Sequence, residues 1–346
     1  MERLKRVGLI VLPLCLALLV SACGGADRSV SGASFAMGRV LTARVYTQKT
    51  EGTPLLGEIY AAAAALDGKI SATDPSSEIA VLNAEGRGAC GEDTLEILRS
   101  SLSLCDALNG RLDITLGAVT SLWGFASDTP RLPSAEEISA ALVTKGTRKV
   151  RLENGAVTLG EGQKLDLGAV GKGAGCDAIR TVLDGAGVPA VISFGGTVLL
   201  YGQKPGGAWN VGVRDPFGGQ EDYFATLSLQ PETASDALFI STSGSYEKTF
   251  TENGKTYHHI LDPDTGMPAD TGLAAVTCVA ENGLTADALS TALFVNGLNE
   301  TSLGWVGQYL VGAVFVFADG RVYVTDGLRT AFTLTNDAFT LTDAYD

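Results

Sequence analysis

The segment Leu165–Asp177 reads LDLGAVGKGAGCD and predicts a point where a strand passes into a helix. Its glycines would let a ligand approach the backbone, and free N–H groups at a helix N-terminus favour an anion. The segment fits neither standard nucleotide-binding pattern, because Lys172 stands at the wrong distance from Gly168 for a P-loop and the G-x-G-x-x-G register fails. Two interpretations remain open here: a loop that binds an anion, or a tight packing joint between strand and helix.

The regions on either side of this junction alternate between strand-like and helix-like patterns. Ser134 and Glu137 form a capping box, and Asn154-Gly155 and Asp319-Gly320 are turn signals between short apolar runs. We predict helices at 55–66, 78–83, 94–108, 134–142, 171–183 and 284–295. Strands are predicted at 35–48, 150–152, 156–159, 164–167, 190–194, 197–201, 311–318 and 321–325, with more between 208 and 250. Interleaved strands and helices indicate an α+β (mixed α/β) fold: a single domain with mixed or antiparallel sheets and packed helices.

A second motif, Ala286–Ala292 (ADALSTA), places Asp287, Ser290 and Thr291 at positions i, i+3 and i+4. On a helix this spacing puts three oxygen-bearing side chains on one face, and a hard cation such as Mg²⁺ prefers oxygen ligands. We expect Asp287 near the helix start, outside the core. The alternative is an acid near a helix start with two hydroxyls bonded back to carbonyls of the preceding turn.

The motif His259–Gly266 (HILDPDTG) holds one of only two histidines in the chain, and the other, His258, precedes it directly. Neutral imidazole near pH 7 suits a general base. Adjacent positions on a strand face opposite ways, so we expect only one ring to face a cleft, and its offset from Asp262-Pro263 favours His259. A structural histidine is the alternative.

The N-terminus predicts an exported lipoprotein. Residues 1–22 form a signal peptide, since a basic start is followed by the apolar run Val7–Val20, which is shorter than the ~20 residues of a spanning helix. The run ends in VSAC, which resembles a lipobox, so Cys23 is expected to be lipidated and to anchor the protein to a membrane, at the cell surface or the periplasmic face. An ordinary cleavage site is the alternative. Residues 23–34 are polar and rich in Gly and Ser and predict a flexible tether, which leaves 35–346 as the folded domain.

The charge argues against nucleic acid as a partner. The formal net charge is −14, and removal of residues 1–22, with three basic residues and one acidic residue, makes it two units more negative. No cluster of Lys or Arg compensates, so a polyphosphate backbone would be repelled. Cys90, Cys105, Cys176 and Cys278 lack C-x-x-C spacing, and we expect four buried thiols rather than a zinc site, although one disulfide is possible.

Taken in chain order, these motifs resemble the bacterial FAD:protein FMN transferase family, also called ApbE-type flavin transferases. The resemblance covers about residues 35–325. The segments that carry it are Met37-Gly38, Ser77–Ile79 with Leu82-Asn83, Leu112–Gly117 with Leu122–Phe125, Leu165–Asp177, Phe194–Gly196, Ser241–Gly244 with Tyr246-Glu247, His259–Gly266 and Ala286–Leu293.

The resemblance implies that residues 35–346 form a flavin transferase domain, which moves FMN from FAD to a Ser or Thr hydroxyl of an acceptor protein and releases AMP. It implies Mg²⁺ as cofactor, held by Asp287, Ser290, Thr291 and the carbonyl of Ala169, and His259 as the base. It places FAD contacts at Met37, Thr73, Leu112, Asp113, Asp166, Lys172 and Ile260.

Two other functions stay open at this stage. One is a Mg²⁺-dependent FAD pyrophosphatase that yields FMN and AMP, and the other is a flavin-binding lipoprotein without turnover. The chain also departs from the family pattern: Arg39 replaces a usual Thr, Ala118 a frequent Pro, Ser245 a frequent Asp or Asn, and Asp264 a frequent Arg. We expect Asp264 to add negative charge beside the site for the pyrophosphate.

Overall fold

The structure of the protein, a computed structural model, describes residues 28–343. Its strands are β1 (Val30–Ala36), β2 (Arg39–Val45), β3 (Arg87–Ala89), β4 (Arg151–Glu153), β5 (Ala156–Thr158), β6 (Ala190–Phe194), β7 (Thr197–Tyr201), β8 (Trp209–Arg214), β9 (Tyr223–Leu229), β10 (Ala237–Gly244), β11 (Thr249–Glu252), β12 (Lys255–His258), β13 (Leu273–Ala280), β14 (Gly312–Phe317), β15 (Arg321–Val324), β16 (Phe332–Leu334) and β17 (Thr340–Leu341). Its α-helices are α1 (Lys49–Ile70), α2 (Glu78–Glu85), α3 (Glu92–Ala107), α4 (Gly117–Trp123), α5 (Ala135–Leu142), α6 (Gly171–Ala186), α7 (Gly283–Asn296), α8 (Glu300–Gln308) and α9 (Asp326–Arg329).

Nine strands form the central sheet of the described chain, in the order β1-β2-β6-β7-β10-β13-β14-β15-β17. Neighbouring strands are antiparallel, except for the parallel pair β15 and β17. Smaller sheets are formed by β16-β9-β8, by β3-β5-β4 and by the hairpin β11-β12. The α+β fold with mixed sheets is therefore confirmed.

The central sheet is covered on both faces, and β13 shows the consequence. All eight of its residues are buried, because its side chains alternate between two cores. Val276 and Cys278 belong to the core under α1, α6 and α7. Ala275 and Val279 belong to the core between the central sheet and the sheet of β8, β9 and β16. A third cluster, around Trp123, lies under the β11–β12 hairpin.

The secondary structure agrees with the sequence where local signals are strong. Ser134 accepts the Glu137 N–H and Glu137 accepts the Ser134 N–H, which confirms the capping box at the start of α5. Asn154 and Gly155 have φ of 51° and 77° in the tight turn between β4 and β5. The helices near 171 and 284 are also confirmed.

Several predicted elements were wrong in extent or type. The predicted strand at 35–48 is instead part of a hairpin, in which β1 and β2 meet at the turn Met37-Gly38, with φ of 49° and 68°. Residues 30–34, expected in the tether, belong to β1, so the folded part begins before residue 35. The helix predicted to begin after Pro54 begins at Lys49.

The segment 164–167 is not a strand. Its backbone bonds go elsewhere, since the Asn83 side chain satisfies both the N–H and the C=O of Leu165, and Asp166 N–H donates to the Ile114 carbonyl. Asn83 thus joins α2 to the glycine-rich segment.

The signal peptide and Cys23 lie outside the described residues, so they stay predictions. Within residues 28–343, no helix combines the length and apolar character needed to cross a membrane. The four cysteines of this part are free, and three of them are buried while Cys90 is half-buried.

Candidate active site

Helices α6 and α7 cross in contact at two glycines. A Cβ on Gly173 would collide with the Gly283 carbonyl oxygen and lie 2.8 Å from the Asp287 Cβ. Asp177, on α6, accepts the N–H groups of Gly283 and Leu284 at 2.8 Å each and so holds the start of α7. Burial raises the pKa of Asp177 to about 6, although these two bonds act in the opposite direction. The glycine-rich segment is therefore a packing joint at this crossing.

The Asp287 carboxylate lies at the centre of this crossing and is 2% exposed. It accepts hydrogen bonds from Ser241 Oγ at 2.7 Å, from Gly173 N–H at 3.0 Å and from Lys172 Nζ at 3.1 Å. The expectation that Asp287 lies outside the core was wrong. A buried carboxylate with this many donors supports the fold as well as any chemistry.

The two hydroxyls that follow Asp287 on α7 meet a third hydroxyl from β10. Ser243 Oγ lies 2.8 Å from Ser290 Oγ and 3.0 Å from Thr291 Oγ1. Ser290 and Thr291 also donate to the Asp287 carbonyl, at 2.9 Å and 3.4 Å. The predicted hydrogen bonds to the preceding turn of α7 are therefore present. They still leave the hydroxyl oxygens of Ser290 and Thr291 on the face of α7 that contacts Ser243.

This cluster has the donor chemistry of a hard-cation site. It combines one buried carboxylate with hydroxyl oxygens, and the Lys172 ammonium already supplies a positive charge to the carboxylate. Ala169 lies just before α6, half-buried against the core. Residues 28–343 contain no group of three or more His, Cys, Asp or Glu side chains placed to hold a metal, so a cation here would depend on hydroxyl and carbonyl oxygens.

His259 follows β12 and extends the β11–β12 pairing by one position. Thr249 pairs with His258, and the His259 N–H donates to the Lys248 carbonyl at 3.1 Å. His258 has different surroundings, since its Nε2 lies 3.0 Å from the Ala269 carbonyl oxygen and its ring meets Phe294 edge-on at 5.7 Å. The two rings thus have separate environments.

His259 is neutral near pH 7. Its pKa falls from 6.5 to about 3, mainly through burial and further through the positive charges of Lys248, His258, Lys172 and Arg39. Its Nδ1, like that of His258, is buried without a hydrogen-bond partner in the described chain. The ring is available as a proton acceptor, and an incoming anion would raise its pKa.

An aromatic cluster supports the His259 region. Trp123 is fully buried, and its ring lies 5.5 Å from that of Tyr257. Its Nε1 donates to the Gly266 carbonyl at 2.9 Å, which fixes the far end of the His259–Gly266 motif. Phe125 contacts the His259 ring edge-on at 6.5 Å. Trp123 and Phe125 therefore act through packing.

Several expected flavin contacts lie next to one another. The bond from Asp166 N–H to the Ile114 carbonyl, 2.8 Å long, places the loop of Leu112 and Asp113 beside the glycine-rich segment. Asp166 accepts the Gly168 N–H at 2.8 Å, and Asp113 accepts the Thr115 N–H at 2.8 Å. Leu112 is buried, so it is first of all a core residue.

The remaining expected contacts differ in position. Met37 lies against α6, where a Cβ on Gly175 would be 3.3 Å from its Cε. Ile260 is buried, and its carbonyl accepts the Ala269 N–H at 2.9 Å. Thr73 is exposed in the loop after α1, and in the described chain its hydrogen bonds are with Ser71 of the same loop.

Sequence reasoning missed two further site residues, Ser241 and Ser243. They sit at positions i and i+2 of β10, so both face α7, one toward Asp287 and the other toward Ser290 and Thr291. The signal was present in the motif STSG, in which the hydroxyl residues Ser241 and Ser243 occupy alternate positions of a strand.

The negative charge that Asp264 adds forms ion pairs in the structure. It pairs with Arg111 at 3.1 Å and with Lys145 at 3.5 Å. Two basic residues thus compensate for the acid that replaces the usual Arg.

A buried carboxylate–hydroxyl cluster, a neutral histidine and a group of cations define a site suited to a phosphorylated substrate. Comparison with known proteins identifies the family. The ApbE family profile matches residues 37–315, and the chain belongs to the ApbE family.

Individual relatives agree with this assignment. A FAD:protein FMN transferase from Treponema pallidum is 32% identical, over 93% of this chain and 94% of the relative. The crystal structure of the ApbE protein of Thermotoga maritima superposes with a TM-score of 0.81 at 30% identity, over 88% of this chain and 99% of that one. The flavinyl transferase ApbE of Pseudomonas stutzeri, in its apo form, gives a TM-score of 0.73 at 27% identity, over 90% and 96% of the two chains.

Proposed function

We propose that this protein is an FAD:protein FMN transferase, which attaches the FMN part of FAD to a Ser or Thr hydroxyl of an acceptor protein and releases AMP. The observation that carries the proposal is a neutral His259 among cations, one of which, Lys172, also pairs with Asp287 in the buried carboxylate–hydroxyl cluster. Such a site combines a proton acceptor with charge complementary to a diphosphate. The Treponema pallidum relative, matched along almost its whole length, bears that activity as its name.

The reaction needs a proton to leave the attacking hydroxyl, and His259 is the residue that accepts it. The oxygen then forms a bond to the phosphorus of the FMN part, and the bond from that phosphorus to the AMP oxygen breaks, with its electron pair going to AMP. Positioning and charge neutralisation provide most of the rate in transfers of this type. The aromatic cluster around Trp123 provides the positioning of His259.

We propose Mg²⁺ as the cofactor, held by Asp287, Ser290, Thr291 and the carbonyl of Ala169. When bound, the ion would neutralise charge on the diphosphate of FAD. The present partners of Asp287 support a cation here, because the carboxylate is buried and already pairs with Lys172. Movement of the Lys172 ammonium away from Asp287 would expose the carboxylate oxygens to the ion and would free Lys172 to contact the substrate.

Intact-mass spectrometry of the acceptor tests the transfer. The full chain is incubated with FAD, Mg²⁺ and candidate acceptor proteins, and the acceptor should gain the mass of one FMN moiety while AMP appears in equal amount. An acceptor whose target hydroxyl is replaced by Ala should gain nothing. Release of free FMN without any labelled acceptor would instead indicate a pyrophosphatase, and FAD recovered intact would indicate a binding protein.

We further propose that the protein is exported and attached to a membrane through a lipid on Cys23. The support is the sequence of the first 23 residues, with a short apolar run that ends in VSAC. Cys23→Ala should release the protein from the membrane fraction or block its processing. If the variant stays with the membrane as the wild type does, the lipid anchor is excluded.

A further inference from the structure

Lys248 differs from Lys172 and Arg39, two other cations around His259, because it forms no ion pair in the described chain. Lys172 pairs with Asp287 at 3.1 Å, and Arg39 pairs with Glu247 at 3.1 Å. Glu247 is also bound by Arg214 at 3.0 Å. Within residues 28–343, no carboxylate lies within ion-pair distance of the Lys248 ammonium.

The position of Lys248 follows from the register of the β11–β12 hairpin. Thr249 is opposite His258, and the next pair outward is Lys248 opposite His259, joined by the bond from His259 N–H to the Lys248 carbonyl. Side chains of directly opposed residues in an antiparallel pair project from the same face, with their Cβ atoms about 4.5–5.5 Å apart. The side chains of Lys248 and His259 therefore project into the same region beside the hairpin.

The charge environment of Lys248 is consistent with this placement. Lys248 as a whole is an exposed residue. Protein atoms nevertheless surround its ammonium group, and this desolvation lowers the pKa of Lys248. The positive charges of Arg39 and Lys172 act in the same direction, while Asp166 and Glu247 act against them. Lys248 in turn lowers the pKa of His259. An anion bound between Lys248 and His259 would raise the pKa of both residues.

We propose that Lys248 is a further catalytic residue, whose ammonium binds a non-bridging oxygen of the phosphoryl group that the acceptor hydroxyl attacks. The inference rests on the proposed transfer of FMN. A general base lies about 2.6–3.2 Å from the hydroxyl that it deprotonates, and a hydroxyl poised for attack lies about 3–3.5 Å from phosphorus. A cation that shares the face of His259 is therefore within reach of that phosphoryl group.

The chemistry assigned to Lys248 is electrostatic, so no atom is transferred to or from it. The acceptor proton goes to His259, the new bond joins the acceptor oxygen to phosphorus, and the electron pair of the broken bond stays on AMP. Lys248 remains protonated and stabilises the charge on the phosphoryl oxygens in the transition state.

Single-turnover kinetics with matched variants test the proposal. Lys248→Met removes the charge but keeps the length of the side chain, and at saturating FAD and acceptor the transfer rate should fall roughly 10²-fold. The FAD dissociation constant should change far less, and Lys248→Arg should retain most of the rate. The control is Lys255→Met, on the same hairpin, where the ammonium lies 5.4 Å from the Tyr257 ring centre. It should transfer at the wild-type rate.

A titration of the histidine rings by NMR provides a readout that a purely structural role would not move. Since the chain has only two histidines, both signals can be followed. Loss of the Lys248 charge should raise the pKa of His259 in the free protein, whereas Lys248→Arg and Lys255→Met should leave it low. The proposal is overturned if Lys248→Met transfers within threefold of wild type or if the His259 pKa does not rise. If the wild type itself labels no acceptor, the proposed function fails instead.

Discussion

The α6–α7 crossing and the β11–β12 hairpin differ in whether their buried polar groups have hydrogen-bond and ion-pair partners. At the crossing, Asp287 is buried and every donor around it has an acceptor in the described chain, through Ser241, Gly173 and Lys172. At the hairpin, the Nδ1 atom of His259 is buried without a hydrogen-bond partner in the described chain, and Lys248 forms no ion pair there, although the charges of Asp166 and Glu247 act on its pKa. The polar groups of the first region bond to one another, whereas those of the second are free to meet the anion and the hydroxyl of the proposed reaction.

This difference separates two uses of buried polarity. A satisfied network stiffens the fold and holds ligands in place, and breaking it costs stability. Unsatisfied groups reduce stability in the free protein but can bind and activate a substrate. Substitutions at the crossing should therefore alter stability first, and substitutions at the hairpin should alter the rate first.

The largest effect on stability should come from Gly173→Ala at the crossing. The added Cβ would meet the Gly283 carbonyl and Asp287, on a helix that Asp177 holds in place, so neither side has room to move. We expect a loss of about 3 kcal/mol or more in the free energy of unfolding, measured by urea denaturation.

The control for that prediction is Gly185→Ala, on the same helix, where nothing lies within 4 Å of the added atom. It should stabilise the protein by about 0.5–1 kcal/mol, because alanine favours a helix over glycine. Equal effects of the two substitutions would show that the contact at the crossing is unimportant.

At the hairpin, His259→Ala should lower the transfer rate by roughly 10²–10⁴-fold, the usual effect of a lost general base. FAD binding should change little, because the ring is used mainly in the transition state. His258→Ala should transfer within a few-fold of wild type, since its ring packs on Phe294 and bonds to Ala269 instead. A greater loss at His258 would reverse the assignment of the base.

The pH dependence of the rate should reveal the influence of the cations on His259. Protonated His259 cannot accept a proton, so the rate falls as the pH drops through its pKa. In the free enzyme that pKa is about 3, so kcat/KM for FAD should hold its value well below pH 6.5. Bound FAD adds negative charge, so the acid limb of kcat should lie at higher pH. Coincident limbs near pH 6.5 would contradict the charge environment described above.

Circular dichroism at each pH controls for unfolding in that experiment. A histidine with a lowered pKa binds its proton only in the unfolded chain between about pH 6.5 and 3. His259 therefore contributes to a loss of stability as the pH falls through this window. Rates are compared only where the fold is intact.

The smallest effect on stability should come from Asp264→Asn. Asp264 is largely exposed and pairs with Arg111 and Lys145 at the surface, and such pairs contribute less than about 1 kcal/mol. The loss should shrink further in high salt. Asp337→Asn, at an exposed acid without an ion pair in the described chain, is the control and should have no measurable effect.

The sequence predicts those elements whose causes are local. The capping box of Ser134 and Glu137 and the tight turn at Asn154-Gly155 are confirmed, because each depends on a few adjacent residues. The start of α1 was predicted wrongly, because Pro54 lies in its second turn rather than before its first. Proline has no N–H to donate, and the Thr50 carbonyl that would otherwise accept that bond belongs to an exposed residue.

The composition of the site was harder to derive, because it depends on contacts between distant segments. Asp287, Ser290 and Thr291 share a helix face as predicted, but the burial of Asp287 depends on α6 and β10, which no local pattern reveals. Ser241 and Ser243 were visible only as alternate hydroxyls on a strand. The role of Lys248 follows from a hairpin register that depends on where the two strands pair.

The bonds that join α6 to α7 also bear on how the chain folds. Gly173 and Asp287 are 114 residues apart, and Asp177 and Gly283 are 106 apart. Closure of such long loops is slow and cannot begin until the later segment has emerged. We expect the carboxylate–hydroxyl cluster to form among the last parts of the structure, so a nascent or truncated chain that ends before α7 would lack the cluster that we propose as the Mg²⁺ site.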